Sequence, residues 1–375
     1  MTLQSSGNPI SFNQIRGEFG NGTNRLGQYR RDDASFGNKN NGDLTNMPLD
    51  TNIPTSVAIG SSQISFSDFY GKSLNVVVNY HSGSAENRPE HAHDRYSAAS
   101  DSTGTSNGKW NVVGGYRNPP TNSGGTKVKI HVNKTIGSAN DTNENICALR
   151  TGAEWSTGTM LSVDVGDSGK ISGGGGNGGA AGGTSGDNGS PGGDGQEGTS
   201  GLGIQYGTDA NETTVNLNSS GVIVCGFGGG GAGSGAEDTD DEGFLNFEDE
   251  DHVGSGGPGG GGAGVPAGSG GSTASGGNAA GSGSFDDGGS GGTGTGVGGN
   301  AVGGTGGRGG DVNDSALGGG NAVEGETSGA AGDPGGNGAA IRRTSNSIKW
   351  AFGVNDGTVT GSGAGGQGES PDGVS

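Results

Sequence analysis

Residues 172–198 read SGGGGNGGAAGGTSGDNGSPGGDGQEG, a stretch in which more than half of the side chains are a hydrogen atom. Such a stretch is either a slack tether or a structure built from main chain, which works because nothing protrudes from it. Composition favours the tether: 93 glycines, 26% hydrophobic residues and a net charge of -20 over 375 residues lie towards the disordered corner. Distribution argues the other way. Up to about Lys170 the chain has the pattern of an ordinary β-rich protein, and the glycine is concentrated after that point. Polyglycine can adopt a left-handed helix with about 3.1 Å rise per residue and outward-pointing backbone groups, and a rod of ten to twelve residues would span roughly 30–37 Å. Neighbouring rods can then bond sideways, provided that the inward positions carry no side chain. Collagen is excluded by 11 prolines and the lack of an unbroken Gly-X-Y register.

Ordering glycine costs about 1–2 kcal/mol per residue or more, so bare rods need anchors. Three times a short apolar strand runs into a turn, a β-branched residue and then glycine: LSVDVGDSGKISGGGG (161–176), TTVNLNSSGVIVCGFGGGG (213–231) and IKWAFGVNDGTVTGSGAGG (348–366). An inert linker needs no such repeated punctuation. Upstream, LNVVVNY (74–80), WNVVGGY (110–116), TKVKIHV (126–132), NICALRT (145–151) and TMLSVDV (159–165) read as strands between turn-forming clusters. Val128, Ile130 and Val132 alternate with lysine and histidine, the pattern of a strand with one wet face. A small β-sandwich over 74–170 fits this size.

The first 73 residues carry twin motifs, ISFNQIRG (10–17) and ISFSDFYG (64–71). Ser11 with Gln14 has the spacing of a capping box, Ser65 with Asp68 that of a relative of one, and the closing glycines suit helix ends. Both read as short helices that dock an apolar face. The predicted fold is therefore all-β with a polyglycine-II helical bundle: docking helices in 1–73, a β-sandwich in 74–170 and a glycine-rich lattice in 171–375.

Nineteen Lys and Arg against 39 acids exclude the cationic clusters that counterion release on nucleic acid requires. Cys147 and Cys225 lack CxxC spacing and read as buried thiols. The opening MTLQSSGNPIS has no basic or apolar signal region, and no stretch approaches the ~20 apolar residues of a membrane span, so a soluble chain without a secretion signal is expected. FSDFYGKS (66–73) lacks the first glycine of a phosphate loop, and no GxSxG elbow occurs. No enzyme activity is predicted; a polysaccharide hydrolase would need two facing carboxylates.

The alternation of glycine-rich rods with short, diverse inserts resembles the tip adhesins of T-even-type phage long tail fibres. The twin ISFNQIRGEFG and ISFSDFYGK motifs, with GDSGKISGGGG and NSSGVIVCGFGGGG, are similar to virion structural and tail-fibre proteins of marine tailed phages. The resemblance implies a virion protein of the tail. It would dock on other tail or baseplate proteins through Ile10, Phe12, Ile15, Phe19, Ile64, Phe66, Phe69 and Tyr70, and attach to a bacterial surface protein or glycan through variable loops. The alternative is a structural baseplate, tail or neck component without host contact.

Residues 235–254, GAEDTDDEGFLNFEDEDHVG, form the most charged segment, between two glycine runs. Phe244, Leu245 and Phe247 beside Asp238, Asp240 and Asp241 have no core to enter at a turn between rods, and read as receptor-binding anchors. The competing reading is a solvated acidic loop. Phe285 and Asp286, with the loop at 312–317, are expected to share that end. Asp238, Asp240, Glu242 and Asp249 nearly spell a calcium loop but depart from it at positions five and twelve. The part-match GGRGGD (306–311) to a calcium nonapeptide is a single copy, close to chance in so glycine-rich a chain. His91 and His93 project to one side of an extended segment, and in a homotrimer three such pairs would bring six nitrogens to a metal; the competing reading is a solvated polar loop.

Overall fold

The computed structural model describes residues 7–14, 65–70, 75–80, 86–87, 89–92, 110–112, 127–139, 143, 145–155, 157–184, 189–240, 250–275, 277–296, 301–323, 327–343, 345 and 347–360. Followed along the chain, the strands visit three sheets in rotation. A first coil supplies β1 (Asn75–Tyr80), β2 (Glu86–Asn87) and β3 (Glu90–His91), one to each sheet; β4 (Trp110–Val112) then pairs antiparallel along the free edge of β1. The second coil is β5 (Lys127–Val132), β6 (Thr135–Gly137) and β7 (Cys147–Arg150), and the third β8 (Met160–Val165), β9 (Lys170–Ser172) and β10 (Ser200–Ile204). The fourth contains β11 (Thr213–Leu217) and β12 (Val222–Val224). Before it is completed, the chain makes the small antiparallel sheet of β13 (Ala236–Asp240), β14 (Glu250–Gly254) and β15 (Thr327–Ser328). β16 (Ile341–Arg343) closes that coil, and β17 (Trp350–Asn355) and β18 (Thr358–Thr360) begin a fifth. Sheet A is thus β17-β11-β8-β5-β1-β4, sheet B β18-β12-β9-β6-β2 and sheet C β16-β10-β7-β3; every coil-to-coil pairing is parallel.

Register explains why this winding holds. Ile130, Val163 and Val215 stand side by side on successive coils of sheet A, Ile136, Ile171 and Ile223 on sheet B, and Leu149, Leu202 and Ile341 on sheet C. All nine are buried and meet in one core. Each such side chain contributes about 1.5–3 kcal/mol on burial, and the columns repeat the contribution at each coil. Tyr80 lies in the first coil, and Trp350, edge to face with Phe352 at 5.1 Å, in the last. The turns between sheets A and B are stacked too: Asn218 N–H donates to the Val165 carbonyl and Asp356 N–H to that of Leu217. A methyl on Gly169 would overlap the Val132 carbonyl of the coil before it, which is why glycine follows the polar turn residues.

Two expectations are corrected. The strands of 74–170 form no antiparallel sandwich; they lie in the same parallel sheets as strands from beyond residue 171, because their apolar faces meet inside one winding rather than between two facing layers. Nor is the second half a polyglycine-II helical bundle. Its assigned regular structure is strands, mostly in those same parallel sheets, and its glycine runs are long connections carrying no assigned helix. Among the described residues the structure is nearly all β, with helix limited to residues 12–14, a 3-10 turn at Phe66–Phe69 and the single position Ala92. The wet face of β5 is also only partly wet: Lys129 reaches Asp164 at 2.7 Å, while His131 is 6% exposed.

Candidate binding site at the ends of the glycine-rich segments

Both long glycine-rich excursions leave the solenoid at the corner between sheets B and C, after β9 and after β12. The chain runs outward in 173–183, 226–235, 268–275, 288–296 and 316–323, and back in 190–199, 255–264, 277–284, 302–311 and 328–339. Every third residue donates to the same neighbour. The N–H groups of Gly173, Gly176, Gly179 and Gly182 bond the carbonyls of Val224, Phe227, Gly230 and Gly233 at 2.8–3.0 Å, and those of Gly175, Gly178 and Ala181 bond Pro266, Ser269 and Ser272. Returning segments pair antiparallel to these, as in Gly256, Gly259 and Gly262 donating to Gly182, Gly179 and Gly176. Main-chain groups in the interior are therefore satisfied by other segments, at an approach that side chains would block.

The direction of each segment sorts the connections into two ends. Near the solenoid lie those at 265–267, 285–287 and 312–315. Here the Phe285 ring packs against a cluster of Val224, Cys225, Phe227 and Ala263, with the Lys170 ammonium 4.3 Å above its centroid. Asp311, 1% exposed, accepts bonds from the N–H groups of Asn313 and Asp314 and pairs with Arg308, which also reaches Asp314 at 3.0 Å. The Asp311 carboxylate of the calcium-like 306–311 phrase is thus engaged by an arginine and three backbone amides, those of Asn313, Asp314 and, at 3.5 Å, Gly288. Phe285 serves as a packing anchor, and Asp286 is exposed beside it.

At the far end lie the segment ends at 183–184 and 189–190, at 274–275 and 277, at 295–296 and 301–302, and at 323 and 327, together with the paired strands β13 and β14. β15 pairs with β13, which brings residue 327 to the hairpin. The Ser234 hydroxyl accepts from Ala322 N–H at 2.8 Å, and the Ser255 hydroxyl donates to the Ser275 carbonyl at 2.9 Å. Asp238 stands directly opposite His252, and Asp240 opposite Glu250. Val323, 77% exposed, lies on the same end. Asp241, Glu242, Phe244, Leu245, Phe247 and Asp249 fall outside the described residues, between strands whose ends are both placed here. The expected grouping is therefore divided: Asp238 and Asp240 are at the far end, Phe285, Asp286 and 312–317 at the near end.

Of the proposed docking residues, Ile15, Phe19 and Ile64 lie outside the described residues, and Phe69 is placed by backbone alone. Ser11 N–H donates to Gln14 Oε1 at 2.8 Å and Gln14 N–H to Ser11 Oγ at 3.3 Å, the reciprocal pair that the spacing predicts. The Phe12 and Phe66 rings meet edge to face at 4.9 Å, Ile10 and Phe66 pack against the solenoid core, and Tyr70 is half-buried. The twin motifs thus engage each other and their own chain.

His91 ends β3 next to Arg150, and His93 lies outside the described residues. Among the described residues no group of three or more His, Cys, Asp or Glu is placed to hold a metal ion, and no helix is long and apolar enough to cross a membrane. Both cysteines are buried and unbridged. Burial pushes the Cys147 thiol up to about 11, against the opposing fields of Arg342 and Arg150. In the folded chain, alkylation of Cys147 at pH 8 is accordingly expected to be at least tenfold slower than for the unfolded chain and to accelerate only as pH approaches 11. Mass-spectrometric labelling over a pH series checks this; equal rates at pH 8 would contradict the burial.

Comparison with protein-family models, curated protein sequences and solved structures finds no match to the chain.

Proposed function

We propose that the chain is a host-attachment protein of a tailed-phage tail, and that it contacts the bacterial surface through the far end of its glycine-rich segments. The observation that carries the reading is the gathering, at one end, of connections separated by up to about 140 residues of sequence, around a hairpin dense in acids. Within 236–254 there are nine Asp and Glu and no Lys or Arg. The resemblance of the glycine-rich repeats to tail-fibre tip adhesins supports the same function. The described segments that lead to this end are held by main-chain bonds to one another, so the scaffold that presents it needs little further ordering on binding. Several copies on one particle would multiply a modest affinity. Docking on other tail proteins belongs to the N-terminal region in this reading, and no catalytic step is assigned.

Replacing residues 241–249 by an equally long Gly-Ser segment is expected to reduce binding of the full-length chain to intact bacterial cells at least tenfold, with its unfolding transition unchanged. Flow cytometry with labelled protein measures it. Equal binding by both proteins would remove the hairpin from the contact, and occlusion of the hairpin by a neighbouring virion protein would favour a structural tail component.

A further inference from the structure

We propose that the last coil of the solenoid is a docking edge for a second copy of this chain, joined through β17 in antiparallel register across a two-fold axis. Such pairing does not depend on attachment to cells. Burial marks the place. Val163 and Val215 are fully buried, whereas Phe352, their successor in register, is half-buried; Ile171 and Ile223 are fully buried, and their successor Val359 is half-buried too. Gly353 and Asn355 are exposed, and Val354 is 50% exposed. Among the described residues no strand lies beyond β17 or β18. The opposite edge of sheet A is closed: β4 pairs antiparallel with β1, where Val78 and Tyr80 are fully buried. A solenoid needs closure at both ends, because a bare last coil leaves its core face and a row of main-chain groups to water.

Charge selects what fits there. Edge strands are ordinarily guarded by charged side chains, lysine above all, but β17 and β18 carry none in a chain of net charge -20. Two such acidic chains repel, and a neutral strip is where they meet at least cost. The flanks are more specific: Lys349 precedes β17 and Asp356 follows it. When the strand pairs antiparallel with itself over its full length, Trp350 stands opposite Asn355 of the partner subunit and Lys349 opposite Asp356 of the partner subunit, on both sides of the axis. Opposite charges in cross-strand positions favour that register. Lys349 is loosely held within its own chain, its Nζ 3.8 Å from an Asp209 carboxylate that is 91% exposed, and Asp356 is exposed. Head-to-tail stacking would need the β1 edge, which β4 occupies, so the pairing is isologous and closes with two copies. Main-chain bonds along the added strand supply affinity, and the half-exposed Phe352 and Val359 lose water.

Sedimentation velocity of the full-length chain over a concentration series tests the edge, alongside V354K, K349E, the double variant K349E/D356K and the far-end control V323K, each checked for an unchanged unfolding transition. A reversible dimer is expected, with no larger species. V354K, which sets a charge in the neutral strip, should weaken dimerisation at least tenfold. K349E, which brings two acids face to face, should weaken it several-fold, and D356K added to K349E should restore it. V323K should dimerise as the unaltered chain does. A monomer at every concentration, which would leave the edge to residues 361–375 or to another protein, overturns the proposal. A trimer overturns it as well, since one edge takes one partner, and so does a dimer that V354K leaves intact. A loss in K349E that D356K does not relieve rejects the antiparallel self-pairing and the proposal with it.

Discussion

Gly259→Ala is expected to destabilise the protein by about 3 kcal/mol, whereas Gly183→Ala leaves stability unchanged or raises it by up to about 1 kcal/mol. The two glycines lie in adjoining segments of the same scaffold. Gly259 is buried, and a methyl there would overlap the Gly230 carbonyl and crowd Gly179 N, on the residues that bond its own segment. Its N–H donates to the Gly179 carbonyl at 2.9 Å, and Gly230 N–H bonds Gly260 at 2.8 Å, so the segments must part and both bonds lengthen. At Gly183 the nearest atom to an added methyl is the Ala274 Cβ at 3.9 Å, ordinary contact, and the loss of unfolded-state freedom works in favour of alanine. Chemical denaturation of the two variants measures the difference. Equal effects would mean that the segments are not in the close main-chain contact described.

Val163→Asp is expected to cost more than 4 kcal/mol and to leave little folded protein, while Ser162→Asp changes stability by less than about 1 kcal/mol. Val163 is fully buried in the third coil, between Ile130 and Val215 of the coils on either side. A carboxylate there has no partner and no water. Ser162 faces the other way, next to Lys129 in register, where an added acid meets a cation. The failure of Val163→Asp should spread. The glycine-rich excursions begin at β9 and β12, and their first inter-segment bond runs from Gly173 to Val224, at the ends of those strands. Amide exchange should therefore report lost protection in 173–183, 190–199, 226–235 and 255–264 as well as in the sheets. Retained protection in those segments would show that they are ordered independently of the solenoid.

Much of the solenoid's interior was legible from alternation. Val128, Ile130 and Val132 announce an inward face, and the phrases at 161–176, 213–231 and 348–366 announce a repeat. These three phrases are the A-strand, turn and B-strand of successive coils. The sandwich expectation went astray because alternation states which face is buried and is silent on the partner; parallel and antiparallel neighbours both satisfy it. The B and C strands supply too little pattern to correct this, since β2 and β3 have two residues each and β6 and β9 three. Among the site residues, the acidic hairpin stood out by composition. The sorting of Phe285 from Asp238 did not, because successive connections fall at alternate ends and both flanks look alike, glycine on either side. The core column of Leu149, Leu202 and Ile341 was equally invisible: its members are 53 and 139 positions apart, and only the register β7-β10-β16 makes them neighbours.

By itself the sequence settled where side chains are absent and where apolar ones recur, because packing density tolerates neither a methyl against a carbonyl nor an unpaired charge among isoleucines. Tertiary structure alone decided that the coils stack in parallel and that the glycine runs leave one corner. It also decided which turns share an end, since these depend on pairings between residues far apart in the chain, whose free energy is returned only once the whole winding closes.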